Sequence, residues 1–159
     1  MARNNNKFLT ANNDTGVIVE GLTNPQLKLG SCCNPIPGDP IVGYVTKGYG
    51  IVVHHKNCKN CESFQKERLI PLRWADNPNR KYPVLIKIEA TSNMNLLVDI
   101  MNTVSSSGMS ILAIHANSNS NLETVVKLKV STSNTLELEK MIVNLKKVKY
   151  IYNIVRENL

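Results

Sequence analysis

Four residues of this 159-residue chain have the types and spacing to hold a metal ion: Cys32, Cys33, His54 and Cys58. Three thiols and one imidazole make a standard structural zinc set, and His54-x-x-x-Cys58 lies within ordinary ligand spacing. The first pair runs into Asn34-Pro35-Ile36-Pro37-Gly38-Asp39, where two prolines fix φ and exclude helix and Gly38-Asp39 closes a bend. Adjacent residues in a strand point to opposite faces, so Cys32 and Cys33 reach one ion only if the chain turns there. The prolines allow such a turn. The other reading of the same residues is buried cysteines packing as small apolar groups. Cys61 adds a Cys-x-x-Cys with Cys58. No thioredoxin-like strand-helix-strand surrounds it, so it reads as an incidental cysteine or a substitute ligand rather than a redox motif.

Catalytic chemistry has no comparable support. A nucleophilic cysteine needs a base and an oxyanion site. The chain offers no Gly-rich phosphate loop, no paired carboxylates and no nucleophile elbow, and no catalytic residue is assigned. Electrostatics offers more. The formal net charge is +7, and Lys and Arg gain free energy by releasing counterions from a polyanion. Lys47, His54, His55, Lys56, Lys59, Lys66, Arg68 and Arg73 crowd the metal-set region, against Glu62, Glu67 and Asp76, with Tyr44 and Tyr49 beside them. Such a surface is either a solvated face or a contact for nucleic-acid backbone.

The elements that must position these residues follow from periodicity. Residues 1–15 are Asn-rich and hardly apolar and read as a disordered linker. Strands are expected in 16–22, with Val17 and Val19 on one face, and in 27–32, 41–46 and 49–54, the last two joined through Lys47-Gly48. A short helix is expected from Asn57 as N-cap, and a closing strand over 69–74 around Pro71. Residues 76–81 are turn-rich and read as a linker. In the second half, Val84, Ile86, Ile88 and Ala90 alternate with Leu85, Lys87 and Glu89, a strand with one buried face. Leu97, Ile100, Met101 and Val104 predict an amphipathic helix ended by Gly108. Strands over 109–116 and 122–130 follow. Asn134 and Glu137 then open a helix buried through Leu138, Met141, Ile142 and Leu145. A last strand covers 148–155. The order βαββαβ implies a ferredoxin-like sandwich. The fold class is therefore α+β: a compact β-hairpin and short-helix module over 16–75, then a ferredoxin-like domain over 82–157.

No apolar run approaches the roughly 18 residues needed to cross a membrane. The start, Met1-Ala-Arg-Asn-Asn-Asn-Lys7, lacks the apolar stretch of a signal peptide, which makes the cytoplasm the expected compartment. In that reducing setting four cysteines argue against disulfides.

The ordered string Gly16-Val-Ile-Val-Glu-Gly21, Leu29-Gly-Ser-Cys-Cys-Asn-Pro-Ile-Pro-Gly-Asp39, Ile41-Val-Gly-Tyr44, Gly50-Ile-Val-Val-His54 and Cys58 resembles the C-terminal regulatory region of the long RelA/SpoT-family enzymes. These make and hydrolyse the alarmone (p)ppGpp. Residues 82–157 look like the ACT domain that ends those proteins. The resemblance covers nearly all of the chain after the first fifteen residues and none of the catalytic half, so it implies a regulatory fragment of a (p)ppGpp synthetase/hydrolase. It implies zinc-finger-type roles for Cys32, Cys33, His54 and Cys58. It implies a ribosome partner, with ribosomal RNA and the uncharged-tRNA complex, through Lys47, His55, Lys56 and Arg73. The catalytic half of the parent and a homodimer are the other implied partners, and no membrane is. ACT domains often bind amino acids at the loop after the first strand. Here that loop is 91–96, and Asn95 stands where the family pattern has glycine, so no ligand-binding residue is assigned. The rival readings are an amino-acid-sensing ACT module and a structural dimerisation module without ligand.

Overall fold

The computed structural model describes residues 15–21, 26–48, 50–76 and 78–157. The Asn-rich stretch 1–14 and Tyr49 lie outside the described residues. Thr15, which the linker reading took in, is buried, and its Oγ1 accepts from the Val17 N–H at 3.3 Å. The chain forms two compact units that divide between Arg80 and Lys81. Among the described residues no helix is long and apolar enough to cross a membrane.

The first unit is built from β1 (Val17–Ile18), β2 (Leu27–Leu29), β3 (Ile41–Val45), β4 (Ile51–His55), β5 (Leu69–Pro71) and β6 (Arg73–Trp74). Its main sheet has the order β2-β4-β3-β5, with β2 parallel to β4 and the other pairs antiparallel. β1 pairs with β6 as a separate two-stranded ribbon. Alternation sorts the faces. Ile41, Ile51 and Val53 join Val17, Val19 and Leu27 in one core, flanked by Leu29, Ile70, Leu72 and Trp74. His54, opposite Val42, faces the other way. Gly43 is where the sheet meets its core most tightly. A Cβ there would lie 2.9 Å from Ile51, Ile70 and Leu72 side-chain carbons alike, closer than packing permits.

Two expectations are corrected here. The strand over 69–74 is two strands on two sheets: Pro71 brings no N–H to continue pairing, and after it the chain leaves β3 for β1. The helix expected from Asn57 is two short 3₁₀ helices, Lys59–Ser63 and Lys66–Arg68. Cys58, not Asn57, precedes the first, and no side-chain cap bond forms. The apolar residues over 57–68 are Cys58, Cys61 and Phe64, spaced by three, which is the repeat of a 3₁₀ helix rather than of an α-helix.

The second unit runs β7 (Tyr82–Thr91), α1 (Leu96–Ser106), β8 (Ser110–Ser118), β9 (Glu123–Thr132), α2 (Thr135–Lys146), β10 (Ile151–Glu157). Its antiparallel sheet has the order β10-β7-β9-β8, and with the two helices it is the expected ferredoxin-like arrangement. Val84, Ile86, Ile88 and Ala90 are buried as their alternation predicts, beside Val126, Leu128 and Val130 of β9. From α2 come Leu138, Met141 and Leu145. On α1 the buried stripe is Leu96, Ile100 and Val104, whereas Leu97 and Met101 are about 40% exposed. The stripe is rotated by one residue from the expected set, because Leu96 and Leu97 are both apolar and only docking on the sheet chooses between them.

The Asn134 side chain caps α2, accepting from the Glu137 N–H at 2.9 Å. Asn134→Ala should lower unfolding stability by about 1 kcal/mol, read from the urea midpoint. An unchanged midpoint would remove the cap from the account of this helix.

Candidate metal centre

The bend that adjacent cysteine ligands require lies at the end of β2. The Gly30 N–H donates to the Val53 carbonyl at 2.7 Å, and the Asn34 N–H returns to the Gly30 carbonyl at 2.9 Å. The chain thus reverses over Ser31-Cys32-Cys33. Asn34 completes the reversal at φ 42°, a conformation Asn tolerates better than most residues. Beyond it, Asp39 closes the second turn: its Oδ2 accepts from the Ile36 N–H and its own N–H donates to the Ile36 carbonyl, both at 2.9 Å.

The reversal turns both cysteines toward His54 of β4 and Cys58. Cys32 Sγ lies 3.3 Å from His54 Nδ1, 3.5 Å from Cys58 Sγ and 3.9 Å from Cys33 Sγ. Cys33 Sγ lies 3.7 Å from His54 Nδ1. All four ligand atoms are within 4.8 Å of one another. A tetrahedral zinc with bonds of about 2.3 Å to sulfur and 2.0–2.1 Å to nitrogen separates its ligands by roughly 3.6–3.8 Å. The observed spacings bracket that value, so the four side chains could hold one such ion. Packing of isolated apolar cysteines would not require four heteroatoms to converge.

Burial, the largest influence, pushes the Cys33 thiol up to about 12. The neighbouring Cys32 and Cys58 add to this, against the His55 N–H. That N–H donates to Cys33 Sγ at 3.2 Å. Burial lowers the His54 pKa, which keeps the imidazole neutral as a ligand must be. At Cys58 burial works upward, but the Asn60 N–H, the Cys32 and Cys33 thiols and the Cys61 N–H together bring the thiol down. A divalent cation at the centre would replace these protons outright.

The surroundings hold the imidazole in place. Phe64 packs edge-on against it at 4.9 Å, Tyr44 stacks on Phe64 at 4.1 Å, and the Arg68 guanidinium lies over Tyr44 at 5.0 Å. His55, on the opposite face of β4, has Nε2 3.6 Å from Asp39 Oδ1. Gly30 is the residue that sequence reasoning missed. A Cβ there would meet His54 Nδ1 at 3.0 Å and the Val53 carbonyl at 3.1 Å. Only the contact across β2 and β4 reveals it; a glycine before a Cys pair carries no such signal alone.

The basic residues do not form one cluster. Lys47 sits in the turn between β3 and β4, and Lys56 follows the other end of β4, a five-residue strand. The two are thus roughly 16 Å apart at strand rise. Both are exposed. Arg73 is ion-paired with Glu20 at 2.5 Å, and His55 is turned to Asp39. In the second unit, the face of the sheet expected to be basic is mixed. Lys87 and Lys127 stand directly opposite each other, and Glu89 (3.3 Å) and Glu157 (2.5 Å) offset them. Pro83, Leu85, Lys87 and Glu89, with Val125, Lys127, Lys129 and Ser131, make up this face on the two central strands, so it carries no aromatic residue to stack a base. An open pocket of about 320 Å³ lies where β7 meets α1, lined by Ser92, Met94, Leu96, Ala116, Ser118 and Thr124 among others. Thr124 Oγ1 is 2.7 Å from Ser92 Oγ and 2.9 Å from Ser118 Oγ.

Residues 17–75, which contain the whole four-ligand centre, match the RelA/SpoT RIS domain, and residues 78–156 match an ACT domain. The chain belongs to the RelA/SpoT family. It is 39% identical over 105 residues to a GTP pyrophosphokinase of Streptomyces coelicolor, which covers 65% of this chain and 12% of that protein. It is 30% identical over 145 residues to the bifunctional (p)ppGpp synthase/hydrolase RelA of Mycobacterium tuberculosis, covering 90% of this chain and 20% of that one. The ACT domain of a GTP pyrophosphokinase from Chlorobium tepidum aligns over 48% of this chain and 97% of its own, with 20% identity and a TM-score of 0.43. The chain spans a fifth or less of the curated relatives just named, and its two domains are those of the RelA/SpoT regulatory region.

Purified protein should carry about one equivalent of zinc, and a strong chelator should lower its melting temperature, because binding free energy is folding free energy. Gly30→Ala must shift the His54 ring by a few tenths of an ångström and should lose zinc faster to the same chelator. Equal loss by both proteins would take Gly30 out of the centre; metal-free protein of unchanged stability would restore the buried-cysteine reading.

Proposed function

We propose that this RelA/SpoT regulatory region tethers and restrains a (p)ppGpp synthetase/hydrolase, the RIS domain meeting ribosomal RNA and the ACT domain serving as a docking unit. The parent reaction transfers pyrophosphate from ATP to GTP or GDP through residues outside this chain. The observation that carries the reading is the converged Cys32, Cys33, His54 and Cys58 set within the matched RIS domain. A metal there would pin the two turns and β4 together and make the first unit a rigid platform. Lys56 leaves that platform directly after His54 and His55, and Lys47 marks the far end of the same hairpin. Backbone contacts to RNA need charge at fixed positions and no base-reading code. Arg73 and His55 would serve mainly to hold the platform, since each already faces a carboxylate. By the same reading the stalled ribosome with uncharged tRNA is the occasion for binding, the catalytic half of the parent is the restrained partner, and the protein works in the cytoplasm.

Phosphate contacts make affinity fall steeply with salt. Lys47→Glu and Lys56→Glu, tested separately by ribosome co-sedimentation at several salt concentrations, should each weaken binding and lower the salt slope by roughly one to two units. Because the two lysines are at opposite ends of the hairpin, a loss confined to one maps the edge of the interface. Unaltered binding by both, with unaltered melting, would exclude this surface.

The pocket beside Ser92 and Thr124 favours a second reading, an ACT module that senses an amino acid. Its rim holds Met94 and Asn93, with Asn95 next in the chain, and no glycine lets a backbone approach a ligand closely. Valine, leucine and isoleucine should therefore leave the melting temperature unchanged. Saturable heat in a calorimetric titration, abolished by substitutions in 91–96, would establish the sensor instead. Ribosome binding absent under all conditions, together with a concentration-dependent dimer, would favour the structural dimerisation module.

A further inference from the structure

Cys61 is the cysteine that stands outside the four-ligand set, and it stands beside it. Its N–H donates to the Cys58 carbonyl at 3.0 Å, closing the turn that opens the 3₁₀ helix Lys59–Ser63. A turn closed by an i to i+3 bond holds its outer Cα atoms within about 7 Å. A disulfide spans Cα separations of roughly 4.4–6.8 Å, so this pair is within reach of one. The Cys61 thiol faces the His55 carbonyl at 3.7 Å, a weak partner. Cys58 and Cys61 are both half-buried, whereas Cys33 is buried.

We propose that Cys58 and Cys61 form a peroxide-responsive pair in which Cys61 is the resolving thiol, and that their disulfide takes Cys58 out of the metal centre. The proposal rests on reading the cluster as a zinc site. The oxidant is a hydroperoxide. The Cys58 thiolate attacks its terminal oxygen, the O–O bond breaks, and hydroxide or alkoxide leaves. The sulfenic acid so formed no longer serves as a thiolate ligand. The Cys61 sulfur then attacks the Cys58 sulfur, and the thiol proton passes to the displaced hydroxide, which leaves as water. With hydrogen peroxide the sum is two thiols and one peroxide giving one disulfide and two waters, a two-electron oxidation of sulfur. Cys32 Sγ also lies close to Cys58, at 3.5 Å, but once Cys58 is oxidised Cys32 would still be engaged in the ligand set with Cys33 and His54. Cys61 is no ligand and is free to attack. A dithiol reductant reverses the step and restores the ligand.

The test treats zinc-loaded protein with hydrogen peroxide, follows zinc with a chromogenic chelator, and maps disulfides by peptide mass. Wild type should release its zinc and yield a Cys58–Cys61 linkage about 2 Da lighter than the two thiols, both reversed by dithiothreitol. Cys61→Ser and Cys61→Ala should load zinc as wild type does, but their Cys58 sulfenic acid, with no thiol to resolve it, should go on to the sulfinic acid, about 32 Da heavier than the thiol, and dithiothreitol should then fail to restore zinc binding. A wild-type linkage between Cys32 and Cys58, or full recovery of zinc binding by dithiothreitol in both variants, would overturn the proposal while leaving the zinc site intact. Failure of wild type to take up zinc before any peroxide is added would overturn the zinc reading itself, and the proposal with it.

Discussion

The first domain depends on one chain reversal. Between Gly30 and Asn34 the backbone turns back on itself, tied to β4 by the Gly30 to Val53 bond and closed by the Asn34 to Gly30 bond. Without that turn, Cys32 and Cys33 would point to opposite faces of a strand and no shared centre would exist. With it, three sulfurs and one nitrogen from turn, strand and 3₁₀ entry meet on the outer face of a small sheet. The inner face supplies a modest core of Val17, Val19, Leu27, Ile41, Ile51 and Val53 with its flanking side chains. Domains of this size seldom reach adequate stability on apolar burial alone, and a metal held by the four side chains on the face opposite the core would complement it.

The centre is also insulated. Phe64, Tyr44 and Arg68 form a stack that runs outward from His54, while Asp39 and His55 tie the turn after the cysteines to the far face of β4. The His55 N–H to Cys33 bond links the two layers. Residues that orient ligands in this way do as much to define a metal site as the ligands do. They also explain why Arg68, His55 and Arg73, which look like surface charge in a list of residues, are partly committed to the structure.

The ACT domain manages charge differently. Its central strands set Lys87 against Lys127 across the ladder, an arrangement that repels unless each is offset. Glu89, two residues along the same strand, and Glu157, from β10, do so. The formal charge is +4 over residues 1–80 and +3 over residues 81–159, so the domains differ in where their charge sits rather than in how much they carry. Lys47, Lys56, Lys59 and Lys66 are left exposed in the first domain, while the open sheet of the second is a mixed surface.

What the sequence determined by itself was local. The alternation in 84–90 named the buried face of β7, the Asn134 and Glu137 pair named the start of α2, and the order of periodic segments named a ferredoxin-like sandwich. The identities and spacing of Cys32, Cys33, His54 and Cys58 named a ligand set. These features depend on neighbours a few residues away, which a sequence displays. What only the tertiary structure decided depends on contacts across twenty residues or more. The turn that lets adjacent cysteines converge, the glycine that makes room for His54, and the choice of Leu96 over Leu97 are of this kind. So is the commitment of Arg73 to Glu20. Each is chosen by packing against a distant strand, and a local pattern satisfies both alternatives until that strand is in place.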